Sequence, residues 1–326
     1  MLTLSPGKVR GLQNCATPEG IFAIVAADHR DALRAIINPA EPHAVTPAQL
    51  TAVKLAVTRH LAPAASAVLL DPVFSAAQAI TFGSLPGQVG LLCALEEQGY
   101  LSDPHRRRTP LIAGWSVAKT KRLGANGVKL LLFYHPRAGE STQAQELLVQ
   151  AVAADCRCAD VPFFLEPILY SPDPALKKGS PEFAVQRPRL AVEMVQRLGR
   201  LGPEVLKIEY PVDPAHQPNP AAWAEACAAV NAASPVPWTI LSGGGSFEQF
   251  IQQLEVACRA GCAGFVGGRS IWQEAAALTG PAQTQFLQQT ALPRVEALRQ
   301  IAVAHAAPWF NRHNSAPVDE QWYHTY

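Results

Sequence analysis

The segment EVLKIEYPVDP (residues 204–214) reads as a short β-strand running into a proline-containing loop, and it carries a lysine where a buried strand should be apolar. An ammonium group is costly to bury without a partner. Side chains alternate faces along a strand, so Val205, Lys207 and Glu209 share one face while Leu206, Ile208 and Tyr210 share the other. The apolar set suits a face covered by helices. Lys207 and Glu209 are then left pointing into the interior of a sheet closed on itself.

Seven further stretches resemble this one in length and in their aliphatic or β-branched content: IFAIVAAD (21–28), AVLLDP (67–72), GLLCAL (90–95), GVKLLLFY (127–134), PFFLEP (162–167), PWTILSGGG (237–245) and GFVGG (264–268). Helix-like segments lie between them. One follows Thr46 (TPAQLTAVKLAVTRHLAP), and another follows Ser246 (SFEQFIQQLEVACRAG) and ends on a glycine, as helix C-termini often do. Eight strands alternating with helices predict an α/β fold, a parallel (β/α)8 TIM barrel, with an open doubly wound sheet as the alternative.

A chain of 326 residues fits one such barrel, here a single domain over 1–326 with an N-terminal extension and an aromatic C-terminal tail. Hydrophobic residues make up 48% and charged residues 16%, which favours a large core over disorder. The net charge of +1 gives no global field for nucleic acid or an anionic membrane surface. No apolar run is long enough to span a bilayer and the N-terminus has no apolar signal core, so a cytoplasmic enzyme is expected. Seven cysteines without a CxxC pair and nine scattered histidines suggest neither a disulfide framework nor a metal site. Two Pro-rich stretches, 171–189 and 211–222, follow the fifth and sixth candidate strands, where a barrel carries its functional loops. The segment PHRRRTP (104–110) reads as a solvated basic turn.

The alternation rule applied to the neighbouring strands sends Lys129, Leu131 and Phe133 inward, and Phe164 and Glu166 with them. Asp28 ends the first strand. Barrel interiors are mostly filled by apolar layers, so these charges should gather near the C-terminal mouth, where barrel active sites lie. One reading is structural: Lys129–Glu166 and Glu209–Lys207 are ion-pair plugs that specify packing. The chemical reading makes Lys207 a nucleophilic amine, with Lys129 as the nearby cation that lowers its proton affinity. Two glycine-rich turns supply an anion site. LSGGGS (241–246) and VGGRSIW (266–272) follow the last two strands, and backbone N–H groups there, with the planar fork of Arg269, suit a phosphate.

Taken together, AADHRDALR (26–34), VLLDP (68–72), LEEQGY (95–100), WSVAKTKRLGANGVKLLLFYHP (115–136), CRCADVPFFLEPILY (156–170), SPEFAVQRP (180–188), VLKIEYPV (205–212), ILSGGGSFEQF (240–250) and GFVGGRSIW (264–272) resemble the class I tagatose-1,6-bisphosphate aldolases over almost the whole chain. The related sulfofructose-phosphate aldolases are close behind. The resemblance implies that Lys207 forms a Schiff base, with Asp28, Lys129 and Glu166 as catalytic partners. It implies a substrate- and phosphate-binding set of His29, Arg30, Ser242, Gly243, Gly244, Gly267, Gly268 and Arg269. It also implies that the enzyme reversibly cleaves a ketohexose bisphosphate to dihydroxyacetone phosphate and glyceraldehyde 3-phosphate without metal or cofactor. Two positions depart from the family pattern. His29 stands where the tagatose enzymes carry Gln, and SGGGS replaces the more usual Ser-Ala-Gly. The competing readings are a sulfosugar-phosphate aldolase with the same lysine and a phosphosugar-binding barrel that senses without turnover. The tail APWFNRHNSAPVDEQWYHTY can dock on its own barrel or on a second copy, as in a homo-oligomer.

Overall fold

The computed structural model describes residues 2–98, 107–324 and 326. Ten strands are present among them: β1 (Leu2–Leu4), β2 (Phe22–Ala26), β3 (Ala67–Leu70), β4 (Gly90–Ala94), β5 (Gly127–Tyr134), β6 (Phe163–Leu169), β7 (Val205–Ile208), β8 (Trp238–Leu241), β9 (Gly264–Gly267) and β10 (His313–Ser315). Strands β2 to β9 form a closed, all-parallel barrel in chain order, and β2 returns to pair with β9 through Phe22 and Gly264. These are the eight stretches expected from the sequence. Parallel neighbours need a crossover, and helices supply each one on the outside.

The alternation rule holds around the ring. Phe22, Ile24, Ala67, Leu69, Leu92, Phe164, Val205 and Val266 pack together inside the barrel. Val25, Val68, Leu130, Leu165, Leu206 and Ile240 join a separate, larger core between barrel and helices. Helix starts follow local capping chemistry. Thr46 and Gln49 form a capping box that opens the helix Pro47–Leu61, and Ser246 caps Phe247–Arg259.

Two expectations about loops need correction. Residues 181–189 are helical, within Pro181–Leu198, because Ser180 caps the helix and Pro181 occupies its first turn, where its missing N–H costs nothing. The second stretch likewise becomes helix at Pro220, capped by Asn219. The basic segment also differs from a solvated turn where it is described: Arg107 lies 4.3 Å from the Phe133 ring centroid and Thr109 is buried, whereas residues 104–106 lie outside the described residues. Among the described residues no helix is long and apolar enough to cross a membrane.

The N-terminal end of the barrel is closed by the helix Pro6–Cys15, whose Leu12 and Cys15 complete the inner core with Trp309. Strand β1 pairs with β10, so the tail docks beside the N-terminus of its own chain. Beneath β7, Lys8 Nζ meets Glu204 Oε1 at 2.5 Å while Glu204 Oε2 accepts from the Phe163 N–H at 2.8 Å. His313 Nε2–H donates to the Glu204 carbonyl at 2.8 Å, and its Nδ1 is buried without a partner. Burial, with Lys8 nearby, lowers the His313 pKa to about 4.

Because the folded pKa lies below the unfolded value, His313 contributes its full stability above about pH 6.5 and that contribution is lost as pH falls toward 4. The expected loss is about 1.4 kcal/mol per pH unit within that window. His313→Gln should therefore show a shallower fall in stability between pH 6.5 and 4.5 than the wild type in urea titrations. Parallel curves would show that His313 is not the group responsible.

Candidate active site

Register determines which side chains meet at the mouth. Leu131 pairs with Glu166, and Phe164 pairs with Val205, so Glu166 stands level with Lys207 two residues further on. Lys129 is one inward position lower, roughly 7 Å along its strand, a span its long side chain can cover. The inward faces of β5, β6 and β7 thus deliver two ammonium groups to one carboxylate. Glu166 Oε2 lies 2.8 Å from Lys207 Nζ and 2.9 Å from Lys129 Nζ. Neither contact is aligned as a hydrogen bond to that oxygen, so both act as ion pairs.

Lys129 also meets Asp28 Oδ2 at 2.7 Å and Glu96 Oε1 at 2.6 Å. All five side chains are buried. Burial alone disfavours a charged Asp28, but Lys129 first, then Lys207 and His29, outweigh it and hold its carboxyl well below the usual carboxylate range. Glu96 behaves oppositely: its burial outweighs the pull of Lys129, and its pKa is raised. Three carboxylates thus surround two lysines in a dry mouth. That arrangement sets carboxylates within reach of an amine, as nucleophilic amine chemistry requires.

Glu96 was not among the residues singled out from the sequence. The signal was present, since Leu92, Ala94 and Glu96 share one strand face, but the candidate strand ended at Leu95. Glu209 does face the mouth, yet its partner is Lys178 at 2.7 Å and not Lys207; its other oxygen accepts from the Leu169 N–H at 3.0 Å. Lys207 is paired instead with Glu166.

The anion-binding candidates form an adjoining group after β8 and β9. Gly243 and Gly244 adopt φ of 60° and 81°, which bends the backbone around the Arg269 side chain. Arg269 Nη2 reaches the Gly243 carbonyl at 3.5 Å, and a methyl placed on Gly244 would sit 3.1 Å from Arg269 Cζ. The Gly268 N–H donates to Ser242 Oγ at 3.3 Å. Long, replaceable contacts of this kind leave donors that an incoming anion can take over.

His29 connects the two groups. Its ring stands edge-on to Trp272 with centroids 5.7 Å apart, its Nδ1 is 4.0 Å from Asp28 Oδ1, and a methyl on Gly268 would be 2.7 Å from its Cε1. Burial lowers its pKa to about 3 against the opposing pull of Asp28, with Arg269, Lys207 and Lys54 adding to the effect, so the imidazole is neutral near pH 7. Its place is beside Gly268 and Trp272.

Two expected ligands are positioned differently. Arg30 is buried and donates from Nη2 to the Glu96 carbonyl at 2.5 Å, so it braces the frame of the lysine cluster. Gly267 belongs to β9 and its open side faces Phe250 and Ile271, because alternation turns it away from the mouth that Val266 and Gly268 face.

A parallel barrel with a buried lysine–carboxylate cluster and an arginine-lined glycine turn at its C-terminal mouth defines a barrel enzyme built for amine chemistry on an anionic substrate. The model of the DeoC/LacD family aldolases matches residues 22–274. The chain is 30% identical to tagatose 1,6-diphosphate aldolase 2 of Enterococcus faecalis, over 98% of this chain and 100% of that one. It is 28% identical to tagatose 1,6-diphosphate aldolase of Lactococcus lactis, over 95% and 100%. Among solved structures it matches a Schiff-base-forming fructose-1,6-bisphosphate aldolase (21% identity, TM-score 0.55, 90% of this chain and 98% of that one). It also matches fructose-bisphosphate aldolase from Plasmodium falciparum (16%, TM-score 0.67, 91% and 94%). The chain belongs to the DeoC/LacD family of aldolases.

Gly244 holds a left-handed backbone conformation next to Arg269. Gly244→Ala should lose about 1–2 kcal/mol of stability, the cost of forcing an L-residue into that conformation. Urea unfolding measures it, and an unchanged midpoint would show that the turn relaxes freely.

Proposed function

We propose that the chain is a class I aldolase that reversibly cleaves a ketohexose 1,6-bisphosphate, with tagatose 1,6-bisphosphate as its substrate, to dihydroxyacetone phosphate and glyceraldehyde 3-phosphate. The observation that carries this reading is the sharing of Glu166 Oε2 between Lys207 and Lys129. It supports a reading in which Lys207 is the amine and Glu166 the base beside it. The choice of sugar draws on the tagatose 1,6-diphosphate aldolases to which the chain is similar over nearly its full length.

Lys207 passes its ammonium proton to Glu166 and adds as the free amine to the C2 carbonyl; Glu166 returns that proton to the departing hydroxyl, so water leaves and an iminium forms. Glu166 takes the proton from the C4 hydroxyl. The C3–C4 bonding pair then moves into the iminium, which becomes an enamine, while the C4 fragment departs as glyceraldehyde 3-phosphate. Protonation at C3 and hydrolysis release dihydroxyacetone phosphate and restore the amine. Lys129 and Asp28 supply fixed charge around the developing anionic centres and orient hydroxyls. Ser242, Gly243, Gly244, Gly268 and Arg269 form the seat for the phosphate on the dihydroxyacetone half, with neutral His29 beside it.

Borohydride added with dihydroxyacetone phosphate should inactivate the protein irreversibly and leave the reduced adduct on the peptide containing Lys207. An adduct on another lysine, or none in an active preparation, would overturn the assignment.

Arg269→Ala should weaken binding of the phosphorylated substrate by about 1.5–3 kcal/mol, the range for a hydrogen bond to a charged group. Isothermal titration with the folded variant checks this. An unchanged affinity would remove Arg269 from the phosphate seat.

A further inference from the structure

Glu96 is the one carboxylate of the lysine cluster to which the proposed reaction assigns no task, and both of its oxygens are engaged. Its Oε2 accepts from the Leu131 N–H at 3.0 Å, its Oε1 accepts from Lys129 Nζ at 2.6 Å, and its carbonyl accepts from Arg30 at 2.5 Å. An antiparallel bridge to Leu111 fixes its backbone on the other side. A carboxylate anchored at both oxygens and through its main chain has no freedom to follow a substrate. It does have the geometry to hold something else still.

We propose that Glu96 is a positioning residue which locks the Lys129 ammonium against Asp28 and Glu166, leaving Glu166 as the carboxylate that serves Lys207. This rests on the aldolase reading above. Lys129 has three carboxylates within 3 Å, and its bond to Glu96 at 2.6 Å is the shortest. Without Glu96, the carboxylate anchors left among the described residues would be Asp28 and Glu166, and the second is the proposed base. Lys129 would then be drawn toward Glu166, and the more tightly that carboxylate is paired, the poorer a base it becomes.

Around Glu96 stand Asp28 after β2, Lys129 on β5 and, beyond Lys129, Glu166 on β6 and Lys207 on β7, with Arg30 on its carbonyl and the neutral His29 beside Asp28. Of these, Lys129 stabilises the Glu96 charge most, Asp28 opposes it, and burial outweighs the favourable contribution, so Glu96 is protonated at a higher pH than an ordinary carboxyl. Protonation would cost Lys129 one anchor. The acid side of the kcat profile should therefore begin above the ordinary carboxylate range.

The test compares wild type, Glu96→Gln and Glu96→Asp by kcat, KM and pH profile with a ketohexose bisphosphate, with borohydride trapping on each. Glu96→Gln should lower kcat about 10- to 100-fold with KM within about threefold, still trap on Lys207, and move the acid limb of kcat to lower pH. Glu96→Asp keeps an ionisable group, so it should retain an acid limb near that of the wild type, and it carries the test if the glutamine variant does not fold. A fall in kcat with the acid limb unmoved would reduce Glu96 to a purely structural role and overturn the proposal, as would unchanged kcat. Failure of the wild type itself to trap on Lys207 would instead bring down the aldolase reading, and this proposal with it.

Discussion

One carboxylate oxygen, Glu166 Oε2, lies within 3 Å of two ammonium groups in a mouth from which water is largely excluded. Neither lysine would be tolerable there alone, because the desolvation of an unpaired ion amounts to several kcal/mol. Nor would the carboxylate. Each charge is affordable only because the barrel's register brings the others to it, and a one-residue slip of β6 would turn Glu166 out toward the helices. The closed, parallel architecture is what makes such a slip improbable, since every strand is held on both sides.

The same rule of compensation extends outward from the mouth. Lys54, wholly buried on the helix Pro47–Leu61, is paired with Asp71, whose other oxygen accepts from the Val73 and Phe74 N–H groups. At the opposite end Lys8 is paired with Glu204, and at the rim Lys178 with Glu209. These pairs are weak evidence for stability, because burying them costs nearly what their attraction returns. Their effect is on placement. Charge that is neutralised locally leaves the field at Lys207 to be set by Glu166, Lys129 and Asp28.

Much of this was legible in the sequence, for one physical reason. A strand buried on both faces shows its parity only where a charged residue breaks the apolar run, and Lys129, Glu166 and Lys207 are such breaks. The readings that failed did so where that signal was absent or competed with another. Glu96 was missed because it lies two residues beyond the last regular position of β4. Arg30 and Gly267 came into the ligand set with the resemblance, and the structure puts the Arg30 guanidinium on the Glu96 carbonyl and the open side of Gly267 against Phe250 and Ile271. The Pro-rich stretches concealed helices because proline marks both loops and first turns, and only the preceding Ser180 or Asn219 tells the two apart. The partner of Glu209 could not be read at all, since Lys178 reaches it from a loop.

Glu166, level with Lys207, is the group proposed to remove the hydroxyl proton. Glu166→Gln keeps the shape and removes the base, so single turnover with a borohydride quench tests it directly. Intact ketohexose should accumulate as a reduced adduct on Lys207, with cleavage slowed about 10²- to 10⁴-fold. Cleavage at the normal rate in that variant, with the same stall appearing in Asp28→Asn, would contradict the account and assign the base to Asp28.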